Sequence, residues 1–179
     1  MKLIAISGSL RAASFNTRLV DLLIDCAPEG VEVEKATLHG IPLYDGDLEE
    51  QQGIPDAVES LRARIKGADG LIIATPEYNA GMPGVLKNAL DWLTRPGSEM
   101  KPTFGHRPTA LVGATPGQFG TAFAQAGSLI NLRQLGCRLF PDYLRVSSAD
   151  KVLPDSGEVD AELRKQAASF LEGFVGFVG

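Results

Sequence analysis

The feature that most constrains this chain is a series of short apolar runs bounded by turn residues and separated by stretches of helical periodicity. Leu3 to Ser7, Gly70 to Thr75 and Thr109 to Ala114 are continuous, as strands covered on both faces of a parallel sheet must be. Val31 to Thr37 alternates and reads as a strand nearer an edge, and Tyr143 to Val146 completes the series. Strands alternating with helices are the βαβ signature.

The intervening segments carry the helices. Phe15, Leu19, Leu22, Leu23 and Cys26 recur at helical spacing behind Ser14, an N-cap residue type. Leu86, Ala89, Leu90 and Leu93 repeat the pattern after Pro83, a residue tolerated in a first helical turn. Val159, Leu163, Ala167, Phe170, Leu171 and Phe174 mark a C-terminal helix, with the tail from Phe174 to Gly179 read as packing and fraying. Right-handed crossovers then give an α/β three-layer sandwich around a five-stranded parallel sheet, and no linker divides residues 1–179, so a single domain is expected.

Two strand orders are common for such sheets. The long dinucleotide-binding order calls for Gly-x-Gly-x-x-Gly after the first strand, whereas this chain has Gly8-Ser9-Leu10-Arg11-Ala12-Ala13-Ser14, with one glycine. The flavodoxin-like order, 2-1-3-4-5, puts strands one and three side by side with the switch point between them. The loops after both strands then open onto one crevice, and that order is expected here.

Composition narrows the function. A net charge of −5 and a pI near 5.1 oppose an electrostatic grip on nucleic acid or an anionic membrane. Arg62, Arg64 and Lys66 are read as a solvated helix face, and the acidic run Asp45 to Glu50 as a solvated loop. Cys26 and Cys137 lack a Cys-x-x-Cys partner and read as buried reduced thiols. No apolar run approaches a signal-peptide core or a membrane span, so a soluble cytoplasmic protein is expected. His39 and His106 lack a metal-binding spacing and are assigned to loops or the surface.

The first loop looks built for a phosphate. Free N–H groups and the dipole at a helix start favour an anion, Ser9, Ser14, Asn16 and Thr17 add neutral donors, and Arg11 adds a charged fork. No Gly-Lys-[Ser/Thr] follows, which removes a Walker A reading. The second loop, Pro76 to Gly84, has prolines and glycines that let backbone approach a flat ring. A phosphate at one loop and a ring at the other point to a mononucleotide.

Gly8-Ser9-Leu10-Arg11-x-x-Ser14-x-Asn16, followed by Pro76-Glu77-Tyr78-Asn79-x-Gly81-x-Pro83-Gly84-x-Leu86-Lys87-Asn88-Ala89-x-Asp91-Trp92, resembles the NADPH-dependent FMN reductase family, which includes bacterial quinone, chromate and azo-dye reductases. The resemblance implies that Ser9, Arg11, Ser14, Asn16 and Thr17 wrap the FMN phosphate, and that Pro76, Glu77, Tyr78 and Asn79 contact the isoalloxazine through backbone and side chain. Thr115 and Gly117, in the loop after the fourth strand, correspond to the segment closing the other side of the ring. Where the family often reads Gly-Gly-x-Arg-x-Gln, this chain has Gly120-Thr121-Ala122-Phe123-Ala124-Gln125, which replaces a charge by Phe123 and points to an apolar interface.

The resulting expectation is an FMN-dependent NAD(P)H:acceptor oxidoreductase. Hydride passes from NAD(P)H to bound FMN and then, in ping-pong order, electrons pass to a quinone, azo compound, chromate-like ion or free flavin. No protein acid is required, because the flavin nitrogens handle the protons. The resemblance also implies a homodimer or homotetramer. Two rival readings are a reductase that releases reduced FMN to a partner and a non-enzymatic flavodoxin-like electron carrier.

Overall fold

Parallel pairing of the apolar runs builds one five-stranded sheet in the order β2-β1-β3-β4-β5. A computed structural model describes all residues, 1–179. The strands are β1 (Lys2–Ser7), β2 (Glu32–Ala36), β3 (Gly70–Ala74), β4 (Pro108–Ala114) and β5 (Arg138–Val146). The helices are α1 (Phe15–Asp25), α2 (Gly46–Gln52), α3 (Asp56–Lys66), α4 (Gly84–Leu93), α5 (Met100–Phe104), α6 (Ala122–Gln134), α7 (Ala149–Val152) and α8 (Ala161–Val178). This is the expected flavodoxin-like α/β fold with the expected strand order.

Period-2 alternation along the strands divides the core into two layers. Leu3 and Ala5 of β1, Ile72 and Ala74 of β3, and Ala110 and Val112 of β4 face a cluster built with α1 and α8. Ile4, Ile6, Leu71, Ile73 and Leu111 face the other side, where α3, α4, α5 and the end of α6 pack around Trp92 and Phe104. Trp92 is fully buried, and its indole N–H donates to Pro42 O at 2.9 Å, as a buried indole requires. Asn88, one helical turn earlier, donates to the same carbonyl at 2.8 Å and accepts from Tyr44 N at 2.8 Å. Together these two residues fasten the loop 40–45 to α4.

Several local expectations are corrected. β5 begins at Arg138 rather than near Tyr143, because its register with β4 slips between Thr109 and Leu111. Pro141 and Asp142 fall in that irregularity and break the apolar pattern; an edge strand tolerates both. The acidic run is helix α2 rather than a loop. Asp45 caps it by accepting from Asp47 N at 2.9 Å, and Glu49 pairs with Arg95 at 2.8 Å and accepts from Tyr44 Oη at 3.0 Å. With no buried face, α2 carries no apolar periodicity to read.

The basic run on α3 is solvated only in part, with Lys66 exposed, Arg64 half-buried and Arg62 turned inward. Arg62 is buried and donates to Arg95 O, Arg64 pairs with Glu34, and Lys66 pairs with Glu99. The apolar stem of Arg62 lies among Val58, Leu61 and Ile65 on the buried face, which charge counting alone misses. The C-terminal helix starts at Ala161, after the Asp160 cap, and does not fray at Phe174. Phe174 is fully buried, and Phe177 meets Phe140 with ring centroids 5.4 Å apart. Cys26 and Cys137 are free but half-buried rather than buried.

Candidate functional site

Strand register brings three loops to one edge of the sheet. Ser7 pairs with Ala74 and Ala74 with Val112, so the chain leaves β1, β3 and β4 at nearly one level. Gly8 N donates to Ala74 O and Thr75 N to Val112 O, each at 2.9 Å, and Thr115 N donates to Val146 O at 3.0 Å. Between these loops lies a cleft of about 130 Å³. A larger surface depression of about 480 Å³ between β5 and α8 shares no residue with it.

The cleft brings together Ser9, Arg11, Ser14 and Asn16 from the first loop with Pro76, Glu77 and Tyr78 from the second and Thr115 from the third. Thr17, Asn79 and Gly117 do not line it. Thr17 Oγ1 bonds instead to Ser7 Oγ at 2.8 Å, and Gly117 N donates to Thr115 Oγ1 at 3.2 Å, shaping its own loop. Phe15, which reads from sequence as helix core, completes the wall together with Ala114 and Pro116 of the segment read as closing the other side of the ring.

At the end of the cleft formed by the first loop, Ser14 caps α1, its Oγ accepting from Asn16 N at 3.2 Å and Thr17 N at 3.3 Å. Ser9 Oγ accepts from Arg11 N at 3.2 Å. The backbone N–H groups of Ser9, Leu10, Ala12, Ala13 and Ser14 donate to no protein atom. Arg11 is exposed and makes no ion pair within the chain. Arg18 stands over the Phe15 ring at 4.5 Å and pairs with Asp155. Burial, and then the nearby charge of Arg11, push the Arg18 guanidinium below its ordinary pKa. Free N–H donors, a helix start and the unpaired guanidinium of Arg11 are the donor set a phosphate monoester takes.

Asn16 has a different geometry from its neighbours. Its Nδ2 donates to Ala114 O and its Oδ1 accepts from Ala114 N, both at 3.0 Å, with both residues buried. This two-point bond ties the first turn of α1 to the end of β4.

The second loop turns tightly. Tyr78 N donates to Gly81 O and Gly81 N to Tyr78 O, each at 3.1 Å, while Asn79 and Ala80 between them have φ of 52° and 58°. Two successive positive φ values define a type I′ turn, which Asn accepts and Ala resists. Ala80→Gly is therefore expected to raise stability by roughly 1 kcal/mol, measured as a higher urea midpoint at unchanged slope. A midpoint at or below that of the parent protein would contradict this account of the turn.

Glu77 is half-buried and turns its carboxylate to α6, where Oε2 accepts from Phe123 N at 2.9 Å and Ala124 N at 3.0 Å. Beside it Phe119 and Phe123, 65% and 51% exposed, meet edge to face at 5.6 Å.

The fold and this edge of the sheet define a mononucleotide-binding flavodoxin-like protein with its cleft at the switch point. The NAD(P)H-dependent FMN reductase PA1204 of Pseudomonas aeruginosa is 47% identical over 125 residues, which cover 70% of this chain and 65% of that protein. The match thus spans a little under two thirds of that relative's length. A 2-hydroxy-1,4-benzoquinone reductase from Burkholderia is 34% identical over 186 residues, covering 99% of this chain and 96% of its own. Among solved structures, the flavoenzyme NAD(P)H:(acceptor) oxidoreductase FerB of Paracoccus denitrificans superposes with a TM-score of 0.85 at 31% identity, covering 99% and 96% of the two chains. The model of the NADPH-dependent FMN reductase family matches residues 1–151, and the chain belongs to that family. It is an oxidoreductase whose cofactor is FMN and whose reductant is NAD(P)H.

Proposed function

We propose that this chain is an NAD(P)H:quinone oxidoreductase that works through bound FMN. The observation that carries the reading is the meeting, at one sheet edge, of free N–H donors around Ser9 to Ser14 with the Pro76 and Thr115 loops. When bound, FMN supplies a ring that takes two electrons from NAD(P)H and yields them to the acceptor.

The chain's own residues bind, orient and shield. Arg11, the hydroxyls of Ser9 and Ser14, and the free N–H groups hold the phosphate. Pro76 and Tyr78 flank the ring on one side, and Thr115 with Pro116 flanks it on the other. Thr17, Asn79 and Gly117 act one step back, Thr17 through Ser7, Gly117 through Thr115 and Asn79 through the tight turn. The open side of the cleft admits NAD(P)H and the acceptor in turn.

A homodimer accounts for the apolar side chains left at the rim. Tyr78, Phe119 and Phe123 are exposed there, and Ile130, seven residues along α6 from Phe123 on the same helix face, is 76% exposed. A cleft of about 130 Å³ is small against the roughly 300–1,000 Å³ of ordinary ligand sites, so a second copy would supply the remaining cover. Sedimentation at the mass of one chain would reject this assembly. No helix is long and apolar enough to cross a membrane, and the free half-buried cysteines support a reducing, cytoplasmic setting.

Steady-state rates with NADPH and 1,4-benzoquinone test the reaction. One mouth used in turn requires parallel double-reciprocal lines with each substrate inhibiting at high concentration against the other. Intersecting lines would sink the shared-mouth reading. Activity that appears only when free FMN is added would replace it with the diffusible-flavin reaction.

A further inference from the structure

We infer that Glu77 is a positioning residue that fixes the spacing between the two loops flanking the flavin ring, by serving as the N-terminal cap of α6 from a distant part of the chain. The inference rests on the placement of the ring between those loops under the proposed function.

Helix α6 lacks a cap of its own. Thr121 at its N-cap position has a φ of 63° and makes no side-chain bond to the first turn. A β-branched residue with positive φ is held there by its surroundings. Phe123 N and Ala124 N, the second and third N–H groups of the helix, would be orphaned without Glu77 Oε2. A carboxylate at this point also meets the positive end of the helix dipole. The cap reaches across 46 residues, from the loop after β3 to the helix after β4.

The far side of the same loop is equally restrained. Gln125 is fully buried, and its Nε2 donates to Thr121 Oγ1 at 3.0 Å and Leu144 O at 3.3 Å. Gly120 lies so close to Arg145 that a Cβ would fall 2.8 Å from the Arg145 carbonyl carbon. The segment 116–121 is thus pinned to β5 on one side, and Glu77 pins the Pro76 loop to the helix that ends this segment. Beyond the strand ends, the side-chain bonds that cross the gap between the loops come from this one carboxylate.

Glu77→Ala and Glu77→Gln separate this role from an acid's. Both bonds use a single oxygen, so Gln can keep both while losing the charge. In the apoprotein, amide exchange at Phe123 and Ala124 is expected to accelerate about tenfold in Glu77→Ala and no more than about threefold in Glu77→Gln. FMN affinity, read by flavin fluorescence, is expected to fall about tenfold for Ala and to stay within about threefold of the parent for Gln. The pH profile of the rate should keep its shape in Glu77→Gln. Unchanged amide exchange in Glu77→Ala would overturn the cap. A Gln variant as impaired as Ala, with a limb of the pH profile lost, would make Glu77 an acid instead. The exchange measurement needs no flavin, so the clamp can fail or stand independently of the cofactor's placement.

Discussion

Asn16→Ala is expected to destabilise the apoprotein by about 2–4 kcal/mol, because it strips the partners from both backbone groups of one buried residue. Ala114 N and Ala114 O each lose a bond of 3.0 Å at a buried position. A buried donor or acceptor left unsatisfied costs about 1–3 kcal/mol, and here one of each is exposed to that penalty at once. The substitution also frees the first turn of α1 from the end of β4. Urea unfolding of the apoprotein measures the loss as a lower midpoint at nearly constant slope. Asn16→Asp is the informative companion, since it keeps an acceptor for Ala114 N but sets an oxygen against Ala114 O. Its destabilisation should match or exceed that of Ala. A full-stability Asn16→Ala variant with weakened FMN binding would return Asn16 to the role of a simple phosphate ligand.

Arg11→Ala should behave in the opposite way. The side chain is exposed and pairs with nothing in the chain, so the apoprotein should unfold within about 0.5 kcal/mol of the parent. Its charge-assisted bond to a phosphate contributes roughly 1.5–3 kcal/mol, so FMN should bind on the order of tenfold to a hundredfold more weakly. The penalty should shrink as salt rises, since this end of the cleft is open to solvent. Riboflavin provides the control: it carries the ring without the phosphate, and its affinity should not change. Equal losses for FMN and riboflavin would mean that Arg11 acts on the ring or on the fold, and no loss for FMN would remove it from the phosphate site.

These two residues sit five positions apart in one motif, and the sequence reading gave them the same task. The contrast shows what was legible. The sheet, its order and the edge at which the site lies follow from local apolar runs and turn residues, because each strand states its own burial. Motif residues gathered there as expected, Ser9, Arg11, Ser14, Pro76 and Tyr78 among them. Division of labour within the motif was not legible, because it depends on distant partners. Asn16 answers to Ala114, Thr17 to Ser7 and Glu77 to the start of α6. No spacing rule within the first loop or the second announces a bond spanning 98 residues.

The corrected elements share that cause. Arg62 reads as solvated because the burial of its apolar stem shows only in three dimensions, and α2 reads as a loop because its stability comes from Asp45 and from Arg95 just past the end of α4. The first half of β5 was hidden by Pro141 and Asp142, which an interior strand would exclude and an edge strand accepts. Sequence patterning reports what each segment buries; it is silent on which distant carbonyl or amide completes it.

The central claim is that FMN held at the edge of this sheet mediates between NAD(P)H and a quinone. Its most direct test is an anaerobic titration of the FMN-loaded protein, followed by flavin absorbance, with one equivalent of NADPH and then one of 1,4-benzoquinone. The account requires the flavin band to bleach with NADPH and to return in full with the quinone. A band that NADPH leaves intact would contradict it and mark the chain as an electron carrier; a bleached band that the quinone cannot restore would contradict the acceptor.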